Sequence, residues 1–337
     1  MPARVKRIAK NLSENMLQYT IIAIILGLVT GYYFNLRPLS VLITPVVLLM
    51  IYPMMVNLSL ASLLRIRETL KPVLEALVLN FAVAPALIYT LVEAFHASTY
   101  MKIALMLLSV APSCSMGLGY VGLAGGDMLT ATTIVASAFL LSLAALPAVG
   151  YVAAGSSLGV PPGLILKSLA VVLVAPLVLG VAAREFIERR YGLEKYGELK
   201  PYFSTVTLVN LYLLIYLIFA VKARLVVSHY HDLVVLAPLM LVYYAAAISL
   251  LLAVNLKLLG LSYEQHQAVV FTTAGKNVAL TIAVLATAFG KAGRFMAVYP
   301  AMVALIQPIV LILYLRYSGR VKAWFAARTA AAQRVPA

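Results

Sequence analysis

The chain has 337 residues, 64% of them hydrophobic and 11% charged, with a mean hydropathy of +1.00. Soluble domains carry roughly 25% charged residues, so this composition excludes one and points to an integral membrane protein. The net charge of +15 does not mark a nucleic-acid binder, because the basic residues gather at alternate ends of the apolar segments.

Ten stretches are long and apolar enough to cross a hydrocarbon core about 30 Å thick, near 17–35, 39–60, 72–95, 103–123, 128–153, 164–184, 202–221, 233–256, 267–289 and 295–316. Short linkers join them, leaving no room for a soluble domain. The fold class expected is all-α, ten transmembrane helices in two inverted five-helix repeats. A basic N-terminal segment spans 1–16, the first repeat 17–154, a linker 155–163, the second repeat 164–316 and a basic tail 317–337.

At the N-terminus, Arg4, Lys6, Arg7 and Lys10 precede the first span. The apolar run is too long for a signal peptide and has no small-residue cleavage site, so it reads as an uncleaved span. Gly27 and Gly31 within it read as close packing. In the second span, Tyr52-Pro53 marks a bend. Arg65, Arg67 and Lys71 follow, and Glu75, near the cytoplasmic end of the third span, is placed to pair with Arg65 or Lys71.

Asn80 precedes Pro85 in the third span. The fourth reads Ala111-Pro112-Ser113-Cys114-Ser115-Met116-Gly117-Leu118-Gly119. Pro removes a backbone donor and Gly weakens a helix, so this is a candidate for unwound backbone. Such backbone is tolerated at membrane depth only where it lines a cavity or is buried in protein. Cys114 is the only cysteine, which excludes an intrachain disulfide and a cysteine cage for a metal.

Ser156, Ser157, Pro161 and Pro162 make the 155–163 linker. Five spans on each side of it force the halves into opposite orientations, the arrangement of inverted-repeat transporters. Ile25-Leu26-Gly27-Leu28 in the first span matches Val178-Leu179-Gly180-Val181 in the sixth, and Pro147 and Pro308 sit late in the last span of each half. His229 and His231 lie in an external loop with no third ligand nearby, so no metal or cofactor is expected.

The ninth span holds Phe271-Thr272-Thr273-Ala274-Gly275-Lys276-Asn277. Lys276 lies about 15 Å from either end of its span at about 1.5 Å per residue, too far for its ammonium to reach the surface. It must face protein or water inside the bundle, which makes it a candidate functional residue. The plainer reading is a buried cross-link through carbonyls or Glu75. Interrupted spans at matching places in the two halves, the fourth and the ninth, point to a solute site near the midplane. Its expected members are Lys276, Asn277, Thr272, Thr273, Gly275, Cys114, Ser113, Ser115, Pro112 and Asn80. Asn57, Asn210 and Gln307 either line the cavity or bond across helices.

With a cytoplasmic N-terminus, the inside segments hold 18 Lys or Arg and the outside loops six: Arg37, Lys102, Lys222, Arg224, Lys291 and Arg294. This bias places both termini in the cytoplasm of a multi-pass plasma-membrane protein. The tail, with Arg316, Arg320, Lys322, Arg328, Trp324 and Phe325, fits a segment lying along the inner leaflet.

Several stretches resemble the bile acid/arsenite/riboflavin transporter superfamily, and within it the arsenite efflux permeases. Met50-Ile51-Tyr52-Pro53 is similar to their Met-Met-Tyr-Pro, and Asn80-Phe81 with Pro85 to their Asn-Trp-x-x-x-Pro. Gly260-Leu261-Ser262-Tyr263-Glu264 resembles the approach to their ninth span, and Cys114 falls within about one residue of their fourth-span cysteine. The resemblance covers residues 17–316 and implies crossing, broken fourth and ninth helices.

There are departures. The permeases' acid two positions after the ninth-span Asn is Ala279 here. On the register of the sodium-coupled branch, Thr272 replaces a Glu and Lys276 a Gln, and Gly117 and Leu118 stand for a Ser-Asn pair of sodium ligands. The usual sodium sites are therefore expected to be absent. Lys276 either takes the electrostatic place of sodium or carries a proton.

The function expected is secondary transport of a small solute by alternating access, with protons as the candidate coupling ion. Arsenite efflux is the specific reading; a small organic anion is the alternative, favoured by Lys276 and Ala279. A membrane-embedded enzyme would need acids or metal ligands converging at depth, and mid-span acids are nearly missing. A passive channel would show a ring of charges, and none is visible.

Overall fold

A computed structural model describes residues 2–154 and 170–332. The 155–163 linker and the start of the expected sixth span lie outside the described residues. Among the described residues the elements are helical, and seven stretches are long and apolar enough to cross a membrane: Met16–Tyr33, Arg37–Val56, Ala61–Ala94, Met128–Ala153, Ala175–Ser228, Tyr230–Leu259 and Gly290–Arg328. The protein is a multi-pass membrane protein.

Amphipathic α1 (Pro2–Glu14) leads into α2 (Met16–Tyr33), and a 3-10 turn at Arg37–Leu42 opens α3 (Ile43–Val56). A second 3-10 segment, Ala61–Thr69, precedes α4 (Leu70–Val78). A π-turn at Leu79–Val83 joins α4 to α5 (Ala84–Ala94). Pro85 explains it: without an N–H it cannot close the bond to the carbonyl four residues back, and the turn widens to take the strain. That widening is what turns Asn80, 1% exposed, into the interior.

The expected fourth span is two helices, α6 (Thr99–Ser109) and α7 (Ser115–Leu123). The expected ninth is likewise two, α11 (Tyr263–Ala274) and α12 (Val278–Ala288). Between them run α8 (Met128–Ala154), α9 (Ala175–Ser228) and α10 (Tyr230–Ala253), and α13 (Gly290–Met296) and α14 (Val298–Ala332) close the chain. A capping box, Ser262 with Gln265, starts α11.

The 54-residue α9 contains what the sequence suggested as two spans and a polar loop. The loop is helical as well, broken only at Gly192, whose φ of 83° a side chain would resist. Its polar turns are held by local ion pairs, Arg184 with Glu188 at 2.7 Å and Arg189 with Glu185 at 2.5 Å. Beyond Gly192, α9 packs along α2 and α3. A Cβ on Gly27 would sit 2.7 Å from the Tyr216 carbonyl oxygen, so a small residue there is what lets α2 and α9 approach.

The basic tail expected from residue 317 continues the last helix. α14 runs on without a break to Ala332. Val321 and Phe325 are buried, and Arg328 donates to the carbonyls of Asn255 and Leu261, at 3.1 and 2.7 Å. The guanidinium thus satisfies backbone acceptors left open where α10 ends.

Candidate functional site

The two helix breaks meet. Ser113 and Lys276 form an isolated antiparallel β-bridge. Asn277 N–H donates to the Pro112 carbonyl and Cys114 N–H to the Gly275 carbonyl, each at 2.8 Å. Backbone that left its helix at two places therefore finds its partners in the other break, which meets the requirement for satisfied polar groups at membrane depth.

Lys276 is 2% exposed, and its ammonium faces protein. It donates to Asn80 Oδ1 and, at 2.5 Å, to the Ser109 carbonyl oxygen. Ser109 is the last residue of α6, and Pro112 three positions on ends the helix. Its carbonyl lies at the negative pole of α6, where a cation is favoured. The cross-link runs through this carbonyl and Asn80, with no contribution from Glu75.

The Lys276 peptide is clamped by Gln307 of α14. Gln307 Oε1 accepts from Lys276 N–H at 3.0 Å, and Gln307 Nε2 donates to the Lys276 carbonyl at 3.1 Å. The side-chain amide behaves as a further strand beside the bridge. Gln307 Nε2 also reaches Cys114 Sγ at 3.9 Å, and Tyr244 OH donates to Gln307 Oε1 at 3.1 Å.

The other expected residues divide. Asn277 caps α12, its Oδ1 accepting from Leu280 N–H at 3.0 Å, and its Nδ2 points to Met54 Sδ at 3.5 Å. Cys114, half-buried, is the N-cap residue of α7, and Ser115 is the first residue of that helix. Ser113 is buried beside Gly117, and a Cβ on Gly275 would meet the Phe271 carbonyl oxygen at 2.5 Å. The Thr272 hydroxyl donates back into its own helix, to the Ala268 carbonyl at 2.6 Å. Thr273 bonds back to the Val269 carbonyl, yet it lines, with Asn80, a cavity of about 20 Å³. That is room for a water, not for a solute.

Two partners of Lys276 escaped the sequence reading. Ser109 acts through its backbone, and the only signal was Pro112 three residues later, which frees the carbonyls of the last turn. Gln307 was visible as a polar residue beside Pro308 at depth, but its clamp on one peptide of another span was not.

Glu75 requires a correction. It does not pair with Arg65, which binds Glu68 at 2.7 Å, or with Lys71, which donates to the Leu259 carbonyl. Glu75 is buried; with the Asn255 amide oriented so that each of its atoms meets a complementary partner, its nitrogen donates to both Glu75 carboxylate oxygens, at 2.5 and 2.8 Å. The Asn255 carbonyl accepts from His266 Nδ1 at 2.8 Å, and His266 Nε2 lies 2.9 Å from Tyr314 OH. With Tyr314 donating, every polar atom along this chain of four side chains has a consistent role.

Residues 44–229, more than half of the chain, match the Sodium Bile acid symporter family. The chain belongs to that family. A similar protein is an arsenical-resistance protein Acr3 of Corynebacterium glutamicum, 29% identical over 70% of this chain and 66% of its own length. Another is an arsenical-resistance protein Acr3 of Alkaliphilus metalliredigens, 25% identical over 85% of this chain and 83% of its own. An uncharacterized transporter of Synechocystis sp. is 26% identical over 82% and 77%. As a member of the sodium bile acid symporter family, this chain is a membrane transporter.

The positions that the resemblance aligns with sodium ligands are largely committed to other bonds. A hard cation needs several oxygen ligands. The oxygens of Asn80 and Ser109 are already held by the Lys276 ammonium. The Thr272 hydroxyl is bonded into its own helix, and Gly117 and Leu118 offer no side-chain oxygen.

Proposed function

We propose that the chain is a secondary transporter that moves a small solute by alternating access, in the plasma membrane with both termini cytoplasmic. The observation that carries this reading is the meeting of two broken helices around a buried lysine. Breaks at 110–114 and 275–277 fall in the fourth and ninth of the ten spans expected from the sequence, which supports two inverted five-helix repeats with the solute site between them. The bridge between Ser113 and Lys276 gives the broken helices a common pivot. Alternating access then moves the other helices about that pair.

Within this reading Lys276 supplies the fixed positive charge that sodium supplies elsewhere in the family. Transport accordingly needs no sodium. Arsenite efflux is the specific substrate assignment, supported by the Acr3 relatives and by a half-buried thiol, Cys114, at the crossing. Arsenite has affinity for thiols, and Cys114 would supply one at the crossing. A small organic anion is the second reading. It is favoured by the Lys276 charge and by Ala279 standing where the arsenite permeases have an acid.

The test is arsenite accumulation in inside-out vesicles holding this protein, in sodium-free buffer, with and without a proton gradient. Accumulation above protein-free vesicles, steepened by the gradient, is the expected result. A strict need for sodium would refute the substitution of lysine for sodium. Failure to accumulate arsenite, with folded protein present, assigns the site to organic anions.

A further inference from the structure

Five of the six basic residues expected in the outer loops converge on one cleft. Arg37, Lys222, Arg224, Lys291 and Arg294 line it together with Phe34, and its volume is about 520 Å³. That lies within the roughly 300–1,000 Å³ of small-ligand sites. No acidic residue lines it. Elsewhere on the surface several cations have an acidic partner: Lys102 with Glu93, Arg65 with Glu68, Lys195 with Glu198. None of the five cleft cations sits in an ion pair or donates a side-chain hydrogen bond among the described residues. Arg294 Nε is shielded from solvent and has no acceptor.

Chemistry narrows the ligand. Gathering five like charges without a counterion raises the free energy of the bare cleft, and guanidinium donors fit the oxygens of phosphate. The cleft sits at the C-terminal end of α2, an 18-residue crossing away from basic α1. Beside it, Tyr32, Tyr33 and Phe34 are each at least half exposed. Aromatic side chains of this kind sit at headgroup level. The cleft therefore opens where lipid phosphates lie, some ten residues of helix from the Lys276 crossing and separate from it.

We infer that this cleft is a binding site for a phosphate-bearing anion, the headgroup of an anionic phospholipid or a soluble phosphate compound, held by Arg37, Lys291 and Arg294. The inference does not rest on the transport reading: a channel or an organic-anion carrier with this surface would bind the same group.

The test uses the full chain purified in detergent. Native mass spectrometry reads retention of phosphatidylglycerol against phosphatidylcholine, and thermal stabilisation is measured with pyrophosphate as the soluble probe. The variant is R37Q/K291Q/R294Q; R316Q/R320Q, at the opposite membrane surface, is the control. Each interfacial cation contributes about a fivefold factor, so the triple variant should lose roughly a hundredfold in apparent affinity while the control keeps it. Because the substitutions relieve repulsion, the triple variant should fold, and R294Q alone gives a second, milder reading of about fivefold. Selective retention of phosphatidylglycerol without a pyrophosphate effect assigns a lipid; the reverse assigns a soluble phosphate. Binding of neither, or binding that survives in the triple variant, overturns the inference.

Discussion

Replacing Lys276 by Met keeps the stem of the side chain and removes the ammonium. Two buried acceptors, Asn80 Oδ1 and the Ser109 carbonyl oxygen, then lose their donor. An orphaned buried acceptor costs about 1–3 kcal/mol. Asn80 can rotate its amide to find another partner, whereas the Ser109 carbonyl is fixed by α6. Against these losses, a charge held at mid-span costs roughly 2.5–3.5 kcal/mol on insertion scales. The terms oppose each other and are similar in size. K276M should therefore change the unfolding free energy by less than about 2 kcal/mol.

Transport should respond differently. A hydrogen bond to a charged group contributes about 1.5–3 kcal/mol, so losing it from the solute-bound state should cut flux on the order of 10- to 100-fold. The paired assay is solute flux in proteoliposomes and reversible unfolding in mixed micelles, on the same preparation. Flux at the parental rate would refute Lys276 as a site residue. A loss of stability beyond about 4 kcal/mol, with flux falling only as folded protein falls, would show that the lysine is a cross-link and nothing more.

Cys114→Ser keeps size and polarity, so stability should move by under about 1 kcal/mol; arsenite flux should drop at least tenfold, while an organic-anion flux, measured in the same vesicles, should stay at the parental rate. Gln307→Leu strips both bonds from the Lys276 peptide and should destabilise by about 2–4 kcal/mol in denaturant unfolding, with flux lost in proportion to distortion of the bridge. His266→Phe leaves the Asn255 carbonyl without a donor and the Tyr314 hydroxyl without its acceptor, which should cost about 2–4 kcal/mol; an unchanged unfolding midpoint would mean that the Glu75 chain is not closed as described.

The spans and their interruptions were legible because they depend on local chemistry. Pro112 and Pro85 remove donors from their own helices, and Lys276 contradicts its own apolar neighbourhood. The contacts that complete the site were not legible, since each joins residues far apart in sequence. Gln307 reaches Lys276 across 31 residues and Asn80 reaches it across 196. Glu75 shows the limit most clearly. Its neighbours in sequence offered Arg65 and Lys71, yet burial of α4 against α11 brought the Asn255 amide, just past the end of α10, instead. The polar stretch after Arg184 misled in the other direction, because local ion pairs sustain a helix that hydropathy alone reads as a loop.

The separation of Lys276 from its acceptors also bears on how the protein is made. At about 5–20 residues per second, some 10–40 seconds pass between synthesis of Asn80 and arrival of the ammonium 196 residues later. Through that interval the first five crossings sit in the bilayer with the α6 carbonyl end and the backbone of 110–114 still unmatched. Water, the insertion machinery or a transient register of the same helices must cover them, and the first half can reach its final arrangement only when the ninth crossing threads into place. Closure of the candidate site is thus a late step of assembly, completed only when Gln307 follows Lys276 31 residues later.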